Sequence, residues 1–189
     1  MKIILGSSSA PRQQVLKDLG YEFEIIKPEI DEQSIRDADP RQLVLKLARA
    51  KADDIIKKVK EDSLIITGDS ITVVNGVIRE KAKDKEEAYR WIEEISQGVA
   101  QRQISSVVVT DTKTGERQEG VAEASVIFNP ISKNDVSDFV ESGAVFNHAG
   151  AYAIQKEPFT SRIKEVKGEM ETIIGLPKTL TVKLLKSVL

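Results

Sequence analysis

The first twenty residues bring together side chains that bind anions at the junction of two predicted elements. Residues 2–5 form a short apolar run, residues 6–9 read GSSS, and Arg12 follows closely. Helical spacing of apolar residues begins at Gln13, and Gly20 is typical of the position just past a helix end. Helix N-terminal N–H groups, hydroxyls and guanidinium groups all bind phosphate-like anions. The stretch therefore indicates an anion site formed by the backbone N–H groups of the loop, the helix N-terminus and Arg12; an ordinary strand-to-helix connection capped by serine is the alternative.

One carboxylate occupies a position that suits acid–base or metal chemistry, and a second ends an acidic loop. Glu32 ends the acidic segment 29–32 (EIDE), and Asp69 directly follows the apolar strand predicted at residues 64–67. A strand end holds such a side chain rigidly. The alternatives are a solvated acidic loop for Glu32 and a turn cap for Asp69.

Two lysines could complement these carboxylates. Lys51 lies four residues after Leu47 and four before Ile55, within the apolar stripe of a predicted helix. Its ammonium either snorkels to solvent or points into a cleft. Lys81 follows the predicted hairpin around Asn75-Gly76, where it would otherwise be an ordinary surface residue.

Composition narrows the classes of function. The 189 residues suit one domain or two closely joined lobes, and the net charge of −2 with a pI near 5.7 does not indicate a nucleic-acid or membrane-surface binder. The chain has no cysteine, which excludes disulfides, zinc–thiolate sites and thiol nucleophiles. No apolar run approaches about 18 residues, so we predict neither a signal peptide nor a membrane span, and expect a cytoplasmic location. A Walker A motif and a GxSxG elbow are both absent, although His148 leaves a serine–histidine–aspartate triad open in principle.

The elements that must position these side chains follow from periodicity and turn chemistry. Asp39-Pro40, Asp84 and Ser132 are predicted helix caps. Predicted strands span residues 2–5, 21–26, 64–67, 71–74, 77–78, 104–110, 121–128, 149–155 and 162–166, and predicted helices span residues 13–19, 40–60, 84–95, 133–140 and 178–185.

Several of these stretches, in their order and spacing, resemble the Maf family of nucleoside triphosphate pyrophosphatases over almost the whole chain. The phrases 76–81 (GVIREK) and 105–110 (SSVVVT) are most similar to eukaryotic, plant-like members. The motifs that carry the resemblance are residues 5–12 (LGSSSAPR), 30–32 (IDE), 48–52 (ARAKA), 68–70 (GDS), 75–76 (NG), 80–81 (EK), 149–155 (AGAYAIQ) and 175–177 (GLP).

The resemblance implies a single domain over residues 1–189 with an α/β fold shared with the inosine triphosphatase group, also called the Maf/Ham fold. That fold has an elongated mixed β-sheet, flanking helices and a cleft between two lobes. It also implies hydrolysis of a nucleoside triphosphate to the monophosphate and pyrophosphate with a divalent cation, Mg²⁺ or Mn²⁺, as in the house-cleaning of non-canonical nucleotides. No nucleic-acid or membrane partner is expected, and a homodimer is left open.

Matched residue by residue, the resemblance assigns catalytic roles to Asp69, Glu32, Lys51 and Lys81. Asp69 and Glu32 are also the expected metal ligands, and which of them acts as general base is left open. The expected substrate-binding residues are Ser7, Arg12, Ser70 and Gln155. The chemistry suits these residue types, because water attack at an α-phosphate needs cations around the phosphates and a carboxylate near the water.

The chain departs from the family pattern at several positions that bear on substrate preference. Pro11 stands where the first arginine of Ser-Pro-Arg-Arg is usual, Ala82 replaces a proline, and His148 replaces a lysine.

Gln155 favours dTTP and UTP as substrates, because an amide pairs with the edge of a pyrimidine base through one donor and one acceptor. The alternatives are 7-methyl-GTP or another modified nucleotide, a nucleotide-binding regulatory protein without turnover, and a non-catalytic interaction domain.

Overall fold

The computed structural model describes residues 1–188, which form two compact units. Unit 1 comprises Met1–Ser70, Ile104–Ala122 and the chain from Met170 onward, and unit 2 comprises Ile71–Gln103 and Glu123–Glu169. The eight strands belong to one mixed sheet with the order β2-β1-β3-β6-β4-β5, in which β7 pairs with β6 and β8 pairs with β7. In chain order the elements are β1 (Lys2–Leu5), α1 (Ala10–Asp18), β2 (Glu24–Ile25), α2 (Pro40–Ile56), β3 (Ser63–Thr67), β4 (Ser70–Val74), β5 (Val77–Arg79), α3 (Lys85–Ser96), β6 (Gln101–Asp111), β7 (Arg117–Phe128), α4 (Lys133–Glu141), β8 (Ile163–Lys167), α5 (Met170–Ile174) and α6 (Lys178–Val188).

Unit 1 is built on a parallel core of strands. β1 pairs in parallel with both β2 and β3, with Ile3 opposite Leu64, and β3 pairs antiparallel with β6, with Thr67 opposite Val108. Because β1 and β3 are parallel, their carboxyl ends lie at the same edge of the sheet. The loops that follow them, at residues 6–9 and 68–70, therefore begin side by side.

Side chains of unit 1 alternate between the two faces of this sheet. Leu5, Ile66 and Val109 belong to one buried cluster together with residues of α1 and α6. Their chain neighbours face the other way, where Ile65 packs against Ile55 of α2 and Val108 packs against further residues of that helix. The core thus fixes α2 on one face and α1 and α6 on the other.

Unit 2 contains the hairpin β4–β5, helices α3 and α4, and the pairing of β7 with β8. Asn75 and Gly76 both have positive φ (49° and 80°), as a two-residue hairpin turn requires. Phe128, Phe139 and Phe159 pack edge to face at centroid distances of 5.0–5.7 Å. Unit 2 therefore has an aromatic core of its own.

The predicted α/β class, a mixed sheet flanked by helices, is confirmed. The caps are confirmed as well: Asp39, Asp84 and Ser132 each accept a hydrogen bond from a backbone N–H in the first turn of the following helix. Among residues 1–188, no helix is both long enough and apolar enough to cross a bilayer.

Several predicted elements differ from the structure in extent or in type. Only Glu24–Ile25 of the predicted strand 21–26 pairs with β1, and α2 ends at Ile56 rather than near residue 60. The strand predicted at residues 149–155 is wrong, because this segment consists of turns. Gly150 and Ala151 have φ values of 70° and 62°, which an extended strand does not allow.

Candidate active site

The candidate site in unit 1 is centred on Lys51, whose side chain is only 8% exposed. Its Nζ lies 2.5 Å from Oδ1 of Asp69 and 2.9 Å from Oε1 of Glu32. The ammonium therefore binds both carboxylates instead of snorkelling to solvent. Asp69 is almost as buried as Lys51, whereas the side chain of Glu32 is 57% exposed.

Helix α2 places Lys51 over the end of β3. The helix begins with Pro40 after the cap Asp39, whose carboxylate accepts the N–H of Arg41. The buried hydroxyl of Thr67 donates a 2.8 Å hydrogen bond to the carbonyl of Ala48, which ties the helix backbone to the last residue of β3. Lys51 lies about one helical turn beyond Ala48, so this hydrogen bond helps to fix the position of Lys51 relative to Asp69.

Glu32 reaches the same ammonium from a separate segment. It begins the 3₁₀ turn Glu32–Ser34, which is capped by the carboxylate of Asp31 through the N–H of Gln33. The turn has no buried residue, and its connection to the candidate site is the ion pair with Lys51. One carboxylate of the candidate site is thus rigid and buried, and the other is open to water.

Arg12 binds both neighbours of Asp69. Its Nη1 donates to the carbonyl of Gly68 (2.8 Å), and its Nη2 donates to the hydroxyl of Ser70 (3.1 Å). Burial lowers the pKa of Arg12, while the charges of Asp69 and Glu32 oppose this shift. Because arginine keeps its charge in proteins, the half-buried guanidinium is a fixed cation beside the carboxylates.

Gly175 closes the other side of Arg12. Glycine adopts its φ of 107° readily, whereas residues with a side chain rarely do. A Cβ at this position would also lie 2.9 Å from Oγ of Ser70 and 3.2 Å from Nε of Arg12. The motif Gly-Leu-Pro at residues 175–177 therefore has a physical reason in this chain, namely the close approach of its backbone to the arginine.

Ser7 lies in the loop after β1 and is buried. Its Oγ accepts the N–H of Ser9 at 3.2 Å, so the serine stabilises the loop itself. Ser9, the residue before α1, makes no side-chain cap. The predicted alternative of a serine cap therefore does not apply to Ser9.

Lys81 and Gln155 belong to unit 2. Lys81 is exposed and forms an isolated antiparallel bridge with Ala149, and Gln155 is exposed in the turns that replace the predicted strand. His148 is half-buried, and burial together with the charges of Lys156 and Lys81 lowers its pKa. The structure thus brings five predicted residues together in unit 1, namely Arg12, Glu32, Lys51, Asp69 and Ser70. Ser7 lies in the loop after β1, at the same edge of the sheet.

The two carboxylates are the metal-ligating groups that this site offers. One oxygen of Asp69 and one oxygen of Glu32 both contact Nζ of Lys51, so the two carboxylates already surround one positive charge. Among residues 1–188, no group of three or more histidine, cysteine, aspartate or glutamate side chains is arranged to hold a metal ion. Any hard cation at Asp69 and Glu32 would need further ligands from water or from a bound molecule.

The sequence interpretation missed two residues that support this site. Ser105 and Ser106 are fully buried in β6, and their hydroxyls contact Ser70 and Asp69 respectively. Two consecutive hydroxyls between Ile104 and Val107, in the otherwise apolar stretch 104–109, are the signal that could have identified them. Buried polar side chains need partners, and the partners here lie in the candidate site.

Comparison with known proteins identifies one family over nearly the whole chain. The family model described as Maf-like protein matches residues 2–188. A 7-methyl-GTP pyrophosphatase from Dictyostelium discoideum is 40% identical over 195 aligned positions, which cover 98% of this chain and 96% of the relative. A dTTP/UTP pyrophosphatase from Caldanaerobacter subterraneus subsp. tengcongensis is 33% identical, with 98% and 88% covered.

The matched solved structures are more distant in sequence. The HAM1 protein from Coxiella burnetii aligns with all of this chain and 98% of its own, at 15% identity and a TM-score of 0.45. A nucleoside-triphosphatase, also titled dITP/XTP pyrophosphatase, from Mycobacterium abscessus aligns with 68% of this chain and 73% of its own, at 16% identity and a TM-score of 0.41.

Proposed function

This chain belongs to the Maf-like family, and on that premise we propose that it is a nucleotide pyrophosphatase, which hydrolyses a nucleoside triphosphate to the monophosphate and pyrophosphate. The relatives named above as pyrophosphatases, which align over nearly its whole length, support this activity. The structural observation that carries the proposal is the buried Lys51 bound to both Asp69 and Glu32, at the sheet edge where the loop of Ser7 also begins.

The cations of the site serve to neutralise phosphate oxygens. Lys51 and Arg12 supply fixed positive charge near Asp69, and the serine hydroxyls of the loop 6–9 add hydrogen-bond donors. The family resemblance gives Lys81 a phosphate-binding role as well. Preorganised positive charge of this kind stabilises the charge that develops on the phosphoryl oxygens, which is the main contribution to catalysis in phosphoryl transfer.

The carboxylates serve the attacking water. In the reaction the water oxygen forms a bond to the α-phosphorus, the bond from that phosphorus to the bridging oxygen breaks, and pyrophosphate leaves. The proton of the water goes to Asp69 or Glu32. Glu32 is the more open to solvent of the two, whereas Asp69 is buried beside Lys51.

Asp69 and Glu32 would hold a divalent cation together with the substrate. Mg²⁺ is typically bound by one or two carboxylates plus substrate phosphates and water, and two convergent carboxylates match that need. When bound, such a cation neutralises phosphate charge and lowers the pKa of water. Because both carboxylates already contact Lys51, we expect tight cation binding to require the nucleotide.

Two substrate groups have a specific observation in their favour. The amide of Gln155 favours dTTP and UTP, because it offers one donor and one acceptor to a pyrimidine edge. The 40% identity to a 7-methyl-GTP pyrophosphatase favours that modified nucleotide. The half-buried Ser70 stands where pyrimidine-specific members carry threonine by resemblance, and its hydroxyl is bound to Arg12, so it supports the site in either case.

The experiment that tests the function measures phosphate release from a nucleotide panel in the presence of inorganic pyrophosphatase. The panel contains dTTP, UTP, 7-methyl-GTP, GTP and ATP, each with Mg²⁺, with Mn²⁺ and with a chelator. The expected result is that at least one nucleotide yields phosphate, and that this release depends on the added pyrophosphatase. A protein that binds nucleotides in calorimetry but releases nothing is the regulatory homologue, and one that neither binds nor hydrolyses is an interaction domain.

The cytoplasmic location and the homodimer stay predictions. Sedimentation of the purified chain distinguishes a dimer of about twice 20.9 kDa from the monomer.

A further inference from the structure

Ser105 and Ser106 are consecutive in β6, so their side chains point to opposite faces of the sheet. Ser106 shares its face with Val108, which packs against α2, and Ser105 shares its face with Val107 and Val109. Each hydroxyl reaches one residue of the pair Asp69-Ser70. β6 therefore holds the segment that carries Asp69 from both sides.

On the face of α2, Ser106 binds both main-chain polar groups of Asp69. The N–H of Ser106 donates to the carbonyl of Asp69 at 2.9 Å, and the Oγ of Ser106 accepts the N–H of Asp69 at 3.1 Å. The same Oγ donates its proton to the carbonyl of Val44 in α2 at 2.7 Å. One fully buried hydroxyl thus joins Asp69 to the helix that carries Lys51.

Close packing at Gly68 supports this arrangement. A Cβ at position 68 would lie 2.5 Å from the carbonyl oxygen of Ser106, so the chain there has room for glycine alone. The backbone of β6 is therefore in direct contact with the segment before Asp69. Small shifts of Ser106 must move Asp69, because no gap separates the two.

We propose that Ser106 is a positioning residue, which sets the Asp69 carboxylate against the Lys51 ammonium through its bonds to the Asp69 backbone and to Val44. The proposal rests on the function proposed above. Without the hydroxyl, the buried N–H of Asp69 has lost the acceptor that the structure gives it and α2 has lost one connection to the sheet. Catalytic groups need placement to within about 0.5 Å, so this loss should appear in turnover.

A merely structural serine would behave differently, and Thr181 provides the matched comparison. Thr181 of α6 is also fully buried in unit 1, and its hydroxyl donates a 2.7 Å bond to the carbonyl of Pro177, the residue before that helix. Thr181→Val removes that hydroxyl with little change in shape. We expect it to lower thermal stability as Ser106→Ala does, while leaving the turnover number unchanged.

The test measures kcat and KM for the best substrate of the panel, well below the melting temperature of every variant. Ser106→Ala should lower kcat about 10- to 100-fold with KM changed by less than about threefold, since misplacement of about 1 Å costs up to roughly 10²-fold. In an Asp69→Asn background, Ser106→Ala should cause no further loss of kcat, because both changes disable the same group. If Ser106→Ala does not fold, Ser106→Cys replaces it in both comparisons.

Three results would overturn the proposal. The first is a kcat for the Ser106 variant within twofold of wild type, which would leave the proposed function standing. The second is an equal loss of kcat in Thr181→Val, which would assign the effect to stability. The third is a full additional loss in the Asp69→Asn background, which would show that Ser106 acts through another group. A wild-type protein that hydrolyses no nucleotide would instead overturn the proposed function, and this inference with it.

Discussion

Lys51 and Asp69 form an ion pair at 2.5 Å in which both side chains are largely shielded from water. The buried aspartate depends on this lysine for charge compensation, since Arg12 binds its neighbours rather than its carboxylate. Breaking one side of such a pair is costly because the other charge stays buried. The pair therefore links the stability of unit 1 to its chemistry.

Lys51→Met should destabilise the protein by about 3 kcal/mol or more at neutral pH, because it leaves the Asp69 carboxylate buried without its lysine. Urea unfolding at pH 7 measures the effect. The double variant Lys51→Met/Asp69→Asn should recover much of the loss, and a single variant as stable as wild type would contradict the explanation.

Asp69→Asn should lower turnover about 10²-fold or more while the fold is retained, because the change keeps the shape and removes the charge that Lys51 and a cation both need. Steady-state rates with Mg²⁺ and Mn²⁺, together with circular dichroism, provide the measurement. Asp53→Asn is a suitable control, since Asp53 also pairs with a cation, Arg117, but is an exposed residue of α2. A variant that keeps more than about a tenth of the wild-type rate would remove Asp69 from the mechanism.

Arg12→Lys should lower kcat at least as much as it raises KM. A lysine keeps the positive charge but cannot make the two bonds to Gly68 and Ser70 that the planar guanidinium makes. If Arg12 acted on phosphate alone, the lysine would preserve most of the charge interaction and the change would appear mainly in KM. Full kinetics of Arg12→Lys beside Ser70→Ala distinguish the two roles.

Gln155→Ala tests which base is recognised. If the amide pairs with a pyrimidine edge, KM for UTP should rise far more than KM for a purine triphosphate, because hydrogen-bonding sites discriminate by up to roughly 10⁴. Equal scaling of both KM values, or a wild-type preference for 7-methyl-GTP, would reject the pyrimidine assignment. Lys156→Ala is the neighbouring control, since that side chain is exposed in the same turn.

The ion pair between Arg49 and Glu119 predicts a pH dependence of stability. Hydrogen bonding to Arg49 lowers the pKa of Glu119 below its ordinary value. Its contribution is therefore present above the unfolded pKa and is lost as the pH falls through the lower, folded pKa. Glu119→Gln should cost at most about 1 kcal/mol at pH 7, because both side chains are partly exposed, and the difference should vanish in acid. In an Arg49→Gln background, the same substitution should show little pH dependence.

Local signals predicted the elements that local chemistry decides. Asp39-Pro40 and Asp84 begin helices, and Asn75-Gly76 forms the hairpin turn, because each of these residues satisfies its own backbone geometry. Residues 149–155 misled the interpretation, since small apolar residues suit a buried strand. Ala151 adopts a left-handed conformation that nothing in its side chain indicates.

The candidate site was predictable in its residue types and not in its connections. Lys51 interrupted an apolar stripe, and that mismatch pointed to an ammonium within the structure, where it binds two carboxylates. The bonds of Ser105 and Ser106 depend on the register of β6 against β3, in which Thr67 lies opposite Val108. Periodicity along one strand does not fix the register between two distant ones.

The segment 68–70 is held by partners from distant parts of the chain. Arg12 lies 56 positions from Gly68, and Ser70 binds the carbonyl of Gly175 across 105 positions. Closing such long loops costs entropy before any contact compensates for it, so contacts of this kind form late on the folding pathway. During synthesis, a chain that still lacks α5 and α6 has Lys51 and Asp69 but not the backbone that confines Arg12. We expect hydrolysis to be acquired only after α5 and α6 have been added, so that activity reports on the assembly of unit 1.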